Sequence, residues 1–545
     1  MLHQTPQRLI ISTTRSLSGV AVAWRLRHQT KEDYLSSNRT QKAIPLALNF
    51  IASGLGSGIL FTYPEISTIA GVQGLIVYSL SSGLALLAFG WLGPIIRRKC
   101  PEGFVLTEWT RKRYGAVTAL YLSVMTLITL FLYMVAELSA LQQTITALTG
   151  LDGLPAVVVE CVVTTIYTGK YAACQSPPMS NPTAKLTRPL TALGGFKVSF
   201  ITDNIQAAMV LGLILIGVIT VGSTTHIDRS LIDSSGLLDA TLLGWQLIYI
   251  LPVAVLTNDF FLSGFWMRTF ASRTDKDLKI GTAIASFSVT AILVLVGSTG
   301  LLAAWSGALN SPPSADGSIS FFLLLGQLPA WVIGIVLVMV VALSTSAFDS
   351  FQSAMVSTGS NDLFRNRLSL WWIRAAVVLI MAPTVVVALK SPSVLRVYLI
   401  SDLVSAALIP VLLIGLLDAA YAWRGFEVVV GGLGGIFTVW LFGTVYYGNA
   451  RDGANLILLE EGLYADDWSA FGAFVAAPVG GLVWAAAAFV ARVACQMVYA
   501  RARGVRCDVF DDPRERIVET DERAGGGAAV VTTVPKGDVE RGRFL

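Results

Sequence analysis

The sequence predicts an all-α polytopic membrane protein with about twelve transmembrane helices, and two observations support this prediction. Of the 545 residues, 54% are hydrophobic and only 14% are charged, whereas soluble proteins carry about 25% charged residues. The hydrophobic residues gather in twelve runs, most of them long enough to cross a hydrocarbon core of about 30 Å. A chain of this composition has too little polar surface for a soluble protein.

The twelve predicted spans follow one another through most of the chain. Residues 1–42 precede them as an arm that does not span, and residues 501–545 form a charged, Gly-rich tail that we predict to be disordered. The spans are residues 43–66, 71–96, 116–149, 154–168, 200–222, 240–265, 280–305, 329–358, 370–390, 393–420, 426–448 and 469–498.

The distribution of Lys and Arg predicts the orientation of the spans. Basic residues cluster before the first span and after every even-numbered span except the tenth, while residues 305–328, between spans seven and eight, contain none. Because loops rich in Lys and Arg remain on the cytoplasmic side, both termini are predicted to be cytoplasmic. We expect an integral, multi-pass protein of the plasma membrane.

Composition also excludes several classes of function. The basic residues are scattered, which argues against nucleic acid as a partner. The five cysteines show no metal-binding spacing, and all three histidines lie outside the hydrophobic runs. The chain has no HExxH or comparable motif, so we expect no enzyme, no bound cofactor and no obligate protein partner. The expected partners are a small polar solute and membrane lipid.

The first span contains residues that interrupt a helix. Gly54, Gly56 and Gly58 fall within five residues, and Pro64 follows, which makes a continuous helix unfavourable. Unwound backbone survives in a membrane where it lines a cavity, and transporters use such breaks to bind ions and solutes. The alternative is close packing of helices through small residues.

Polar residues also interrupt the sixth and eighth spans. Asn258 and Asp259 stand inside the sixth span, and Thr345 and Asp349 are four residues apart in the eighth, so they share a helix face. An acidic residue at membrane depth costs several kcal/mol. Asp259 and Asp349 therefore have a function, a structural partner, or a position nearer the interface.

Three motifs resemble the sodium:solute symporter family, from about residue 30 to 420. The loop of residues 100–115 ends in an Arg-aromatic-Gly sequence, Gly194 and Gly195 precede Asp203, and paired hydroxyls stand at Ser344 and Thr345. Within that family the loop is most similar to the fungal and plant urea active transporters. The Gly-Leu-Gly-Ser-Gly sequence of residues 54–58 departs from their pattern.

The resemblance implies a leucine-transporter-like core of two inverted five-helix repeats and alternating access. The repeats would cover about residues 43–222 and 240–420, within a core of residues 43–420, and residues 421–500 would form two accessory helices. By position, the family's sodium site carries over to the main-chain carbonyls of three residues and two hydroxyls. These ligands are Ala52, Leu55, Val341, Ser344 and Thr345.

Residues 169–191 interrupt the resemblance. The segment is polar and has four prolines, and removing it joins Thr168 to Ala192 in a family-like junction. We expect it to lack regular structure, since it has no apolar face to bury. It is either a translated intron or a cytoplasmic loop.

The function that these features favour is cation-coupled symport of a small polar solute, with urea or a related nitrogen compound as the first hypothesis. Sodium is the expected coupling ion, and a proton on Asp259, Asp349 or Asp402 is the alternative. A solute sensor with a transporter-like bundle is the competing class. The residues predicted to face the solute are Gly54, Ser57, Asn258, Asp259 and Phe261.

Overall fold

The computed structural model describes residues 39–101, 103, 105–174, 211–212, 214–310, 317–359, 370–390, 393–460, 463 and 467–504. These ranges contain helices and short connections but no strand, and an isolated bridge joins Gln41 to Ser272. The predicted all-α class is therefore confirmed.

Eighteen α-helices make up the described chain. In chain order they are α1 Ala43–Gly54, α2 Ile59–Ile69, α3 Gly71–Lys99, α4 Leu106–Tyr114, α5 Ala116–Thr149, α6 Leu154–Cys174, α7 Ile214–Thr224, α8 Arg229–Ser235, α9 Leu242–Asp259, α10 Ser263–Ala271, α11 Asp275–Trp305, α12 Ser320–Leu325, α13 Ala330–Thr358, α14 Leu370–Lys390, α15 Val394–Leu413, α16 Gly425–Tyr447, α17 Ala450–Ile457 and α18 Ser469–Arg503.

Each predicted span has a helical counterpart. Within the described ranges, eight helices are long and apolar enough to cross a membrane, and the bent pair α1 and α2 adds a ninth span. Three shorter apolar helices, Leu154–Thr164, Ile214–Thr224 and Val378–Lys390, overlap parts of predicted spans four, five and nine. The chain is an integral multi-pass membrane protein.

The outer surfaces of the long helices carry large apolar side chains. Phe287 is 79% exposed, Val445 76% and Leu379 72%. In water such a surface would drive association, whereas in a bilayer these side chains contact lipid tails. The exposed surface therefore supports the predicted contact with membrane lipid.

The helices form two compact units. The first contains the described residues up to Pro94, those within Thr126–Asp402 and those within Glu461–Asp467. In it, α1 and α2 pack on α11, where Gly297 and Gly300 let α2 approach closely. The Ser67 hydroxyl donates to the Gly297 carbonyl at 2.8 Å across that interface. This unit contains the first and the sixth spans, which are interrupted.

The second unit contains residues within Ile95–Met125, Leu403–Glu460 and Trp468–Leu545. Its α16 and α18 pack closely, because Gly431 of α16 lies against the Gly481 backbone of α18. The buried Arg492 donates to the Glu427 carboxylate and, at 2.7 Å, to the Ala422 carbonyl. A buried charge is tolerated when it is paired and hydrogen-bonded in this way.

The helix α6 extends further than the sequence indicated. We predicted that residues 169–191 lack regular structure, but α6 continues through Cys174, so the prediction is wrong for the first six of them. The reason is local: Ala172 and Ala173 are strong helix formers, and the first proline of the segment is Pro177. Residues 175–191, most of the arm and the tail beyond Gly504 lie outside the described residues.

Candidate functional site

The first span is broken where the sequence predicted. The helix α1 ends at Gly54 and α2 begins at Ile59, and their axes are bent by 68°. Leu55 follows with extended backbone angles, φ −111° and ψ 98°. The four linking residues leave main-chain N–H and C=O groups without helical partners, so other elements of the unit have to satisfy them.

Glu137 of α5 accepts hydrogen bonds from one of the unwound residues of this break. Its carboxylate accepts from the Ser57 main-chain N–H at 2.9 Å and from the Ser57 hydroxyl at 2.6 Å. It also accepts from the Tyr398 hydroxyl of α15 at 3.2 Å, and only 1% of the residue is exposed. A carboxylate is favoured here because the N-terminal end of α2 carries partial positive charge.

Two of the three glycines in the break are required by these contacts. A Cβ on Gly56 would overlap the Glu137 carboxylate, and a Cβ on Gly58 would overlap the Tyr398 ring and hydroxyl. Gly54 is different, since a Cβ there would meet no other atom within 4 Å. The Gly-Leu-Gly-Ser-Gly sequence thus lets Glu137 and Tyr398 reach the unwound backbone.

The sixth span is interrupted as well, between the end of α9 at Asp259 and the start of α10 at Ser263. Asn258, which is 1% exposed, donates to the Tyr133 hydroxyl at 2.7 Å and to Asp402 Oδ1 at 2.5 Å. Its side-chain oxygen accepts from the Ser401 hydroxyl at 3.1 Å. Asn258 therefore positions Asp402 and Tyr133.

A cavity of about 110 Å³ lies beside both breaks, inside the first unit. Among the described residues, its wall contains three carboxylates and four tyrosines but no Lys, Arg or His. The carboxylates and tyrosines are Glu137, Asp259, Asp402, Tyr63, Tyr78, Tyr133 and Tyr398.

The tyrosines of the wall are arranged in pairs. The Tyr63 and Tyr78 rings stack with centroids 4.2 Å apart, and Tyr133 meets Tyr398 edge to face at 4.8 Å. Negative charge and aromatic rings together attract cations, because carboxylates pair with positive charge and ring faces hold it electrostatically. The cavity is suited to a positively charged solute.

The three carboxylates are not equivalent. Glu137 accepts from Ser57 and Tyr398, and Asp402 accepts from Asn258. Within the described part of the chain, no hydrogen bond reaches the Asp259 carboxylate, which lines the cavity. An ionised carboxylate at membrane depth needs a counter-charge, so Asp259 is the group best placed to bind a cationic solute directly.

The structure places the residues predicted to face the solute in three different positions. Gly54 and Asp259 line the cavity. Ser57 and Asn258 do not line it but donate hydrogen bonds to lining residues. Ser57 donates to Glu137, and Asn258 donates to Tyr133 and Asp402. Phe261 is 2% exposed and is not among the lining residues. Asp402, predicted as a coupling residue, lines the cavity as well.

Two of the predicted sodium ligands, Val341 and Thr345, contact each other. The Thr345 hydroxyl donates to the Val341 carbonyl at 2.6 Å, and the Ser344 hydroxyl donates to Glu160 Oε1 at 3.0 Å. Among the residues that the structure describes, neither hydroxyl is hydrogen-bonded to the carbonyl of Ala52, in the last turn of α1, or of Leu55, the first residue of the break, so their shared ligation of sodium stays a prediction. The Asp349 side chain lies outside the described residues.

Sequence reasoning missed Glu137 and Glu160. Both are acidic residues within predicted spans, the third and the fourth, which is the signal that pointed to Asp259. The tyrosines of the cavity gave no such signal, since an aromatic residue in an apolar span is ordinarily a packing residue.

Comparison with known proteins adds one full-length relative. The chain is 50% identical over 512 residues to a spermidine transporter of Candida albicans (strain SC5314), covering 93% of this chain and 93% of the relative. No model of a known protein family matches the chain. The relative is a transporter of spermidine, so the urea hypothesis gains no support.

Solved structures share the fold at low identity. A Na⁺-coupled sialic acid symporter in a substrate-bound outward-open state has a TM-score of 0.61 at 15% identity, covering 87% of this chain and 96% of that one. A nucleobase-cation-symport-1 family transporter in a closed conformation has a TM-score of 0.51 at 12% identity, covering 84% and 96%. These proteins are transporters, and none is an enzyme.

Proposed function

The chain belongs to the same family of membrane transporters as the spermidine transporter of Candida albicans, and on that premise we propose that it carries a polyamine of the spermidine class. Membership of the sodium:solute symporter family, coupling to sodium and residence in the plasma membrane are further proposals. They are supported by the motifs and the Lys and Arg distribution described above.

The observation that carries the polyamine proposal is the charge of the cavity wall. Three carboxylates face a cavity whose described lining residues include no Lys, Arg or His. Alkylamines titrate near pH 10, like the Lys side chain, so spermidine has three ammonium groups at neutral pH. Each ammonium matches a carboxylate, and the tyrosine rings favour the same charge. Urea is neutral and would leave the three carboxylates without counter-charge.

The coupling site that we propose for sodium is the set Ala52, Leu55, Val341, Ser344 and Thr345. Ser344 and Thr345 donate their hydroxyl protons to Glu160 and to the Val341 carbonyl. A hydroxyl that donates elsewhere keeps its lone pairs for a cation. The hydrogen bond to the Glu160 carboxylate also makes the Ser344 oxygen a stronger ligand. The alternative coupling ion is a proton on Asp259, Asp402 or Asp349.

Transport by proteoliposomes tests the proposed substrate. Vesicles containing the full-length protein should take up radiolabelled spermidine, and excess unlabelled spermidine should compete while excess urea should not. Uptake of labelled urea without uptake of spermidine would contradict the proposal. Binding of spermidine without any uptake would favour the sensor hypothesis.

A further inference from the structure

Glu137 connects three parts of the first unit. It is a residue of the long helix α5, it accepts from Ser57 at the break between α1 and α2, and it accepts from Tyr398 of α15. The same carboxylate lines the cavity. Glu137 therefore joins the cavity wall to the unwound backbone of the first span.

The Glu137 carboxylate is in close contact with the break, so it cannot move without changing those contacts. The Ser57 hydroxyl and main-chain N–H both donate to Oε2, at 2.6 and 2.9 Å, and the carboxylate lies so close to Gly56 that a Cβ there would overlap it. Movement of the carboxylate toward the cavity would therefore lengthen both bonds to Ser57. The unwound backbone before α2 would then lose the carboxylate that accepts from Ser57.

A cation in the cavity would attract the Glu137 carboxylate toward the cavity. The donors that now hold Glu137 are neutral main-chain N–H and hydroxyl groups, whereas an ammonium group would add the direct attraction of a full positive charge for the carboxylate. An ammonium group near Oε1 competes directly with the Tyr398 hydroxyl, which is the longest of the three contacts at 3.2 Å.

We infer that Glu137 couples the occupancy of the cavity to the conformation of the break in the first span. Binding of a cation draws the carboxylate away from Ser57 and Tyr398, which frees α2 to move relative to α1. Asp259, which no protein group holds among the described residues, provides affinity, whereas Glu137 transmits occupancy. The inference rests on the proposed function only in requiring a cationic solute.

Hydrogen–deuterium exchange on the full-length protein in lipid nanodiscs tests this coupling. In the wild type, saturating spermidine should speed exchange of amides in residues 57–60 by about tenfold, the effect of losing a hydrogen bond to a charged group. In Glu137→Gln the same amides should exchange faster without spermidine and should not respond to it. That variant should still bind labelled spermidine through Asp259 and Asp402 while its uptake is lost.

Two further variants keep the test decisive. Ser57→Ala retains the carboxylate and the main-chain donor, so basal exchange should rise and the response to spermidine should shrink. Thr144→Ala removes a buried hydroxyl of α5, the helix that carries Glu137; this hydroxyl donates to the Ala140 carbonyl. The Thr144→Ala variant should behave as the wild type. A spermidine response that persists in Glu137→Gln would overturn the inference. Wild-type protein that binds no spermidine would instead overturn the proposed function.

Discussion

Single acidic residues at membrane depth organise this molecule, and each is held differently. Glu137 is fixed by donors from the break of the first span, and Asp402 is oriented by Asn258. Asp259 faces the cavity without a protein donor among the described residues. Since a buried carboxylate is costly without a partner, these differences separate Glu137 and Asp402, which protein donors hold, from Asp259, which we propose to bind the cation.

The glycines of the break give a prediction at the residue scale. Gly56→Ala places a methyl group on the Glu137 carboxylate and should displace it, lowering the melting temperature by several degrees and abolishing uptake. Gly54→Ala is the matched control, because its Cβ meets no atom within 4 Å, and its melting temperature should equal that of the wild type. Thermal melting in detergent compares them, and equal melting temperatures for both variants would refute the packing argument.

At the residue scale the sequence predicted part of the site. Asn258, Asp259 and Asp402 were recognisable because they are polar residues inside apolar spans. Their partners were not, because Glu137 meets Ser57 across 80 positions and Asn258 meets Asp402 across 144. Separations of this size depend on how the helices pack, which one sequence does not reveal.

At the scale of elements, the interrupted helices were the most predictable feature. Glycine destabilises a helix interior by roughly 1 kcal/mol, and three within five residues predicted the break between α1 and α2. The boundary of α6 was harder, because residues 169–174 contain no proline and continue the helix that precedes them. Helix ends depend on the balance of weak local preferences, so they are predicted less well than helices.

The eighth span gives a prediction about the coupling ion. The double substitution Ser344→Ala and Thr345→Ala removes two of five proposed sodium ligands without removing a charge, so the protein should still fold. The sodium concentration for half-maximal spermidine uptake should rise about tenfold or more, as expected for loss of about 1.4 kcal/mol of binding. Uptake in proteoliposomes over a sodium series measures it.

The proton alternative makes the opposite prediction for the same experiment. If a proton on Asp349 or Asp402 is the coupling ion, uptake should follow an imposed pH gradient in the absence of sodium. The double variant would then behave as the wild type, while Asp349→Asn or Asp402→Asn would lose concentrative uptake. This pattern would end the sodium assignment.

At the scale of the whole molecule, the chain shares its fold with solved transporter structures at 12–15% identity. Within that fold, three carboxylates of this chain line the cavity. The relationship to a spermidine transporter indicates transport, and the residues of the cavity wall are the basis of the proposal for the kind of solute. The spans were predictable from hydrophobic runs alone, because a bilayer imposes their length and composition. The cavity exists only after the helices pack.

A polycationic solute makes transport electrogenic. Each positive charge gains about 2.3 kcal/mol per 100 mV of membrane potential, so a trivalent cation gains about 7 kcal/mol per 100 mV. An inside-negative potassium diffusion potential should therefore accelerate spermidine uptake strongly and raise its final accumulation. Uptake of labelled spermidine, compared with and without the potassium ionophore that sets the potential, measures this acceleration. Uptake that does not respond to the potential would show that other charges move in compensation.

Binding of labelled spermidine to the purified protein tests most directly whether the carboxylates of the cavity bind a polyamine. Asp259→Asn keeps the size of the side chain and removes its charge, so affinity should fall by about tenfold or more. Thr144→Ala, on a helix of the same unit but away from the cavity, should bind as the wild type does. Unchanged affinity in Asp259→Asn, with uptake intact, would show that the Asp259 carboxylate does not bind the polyamine.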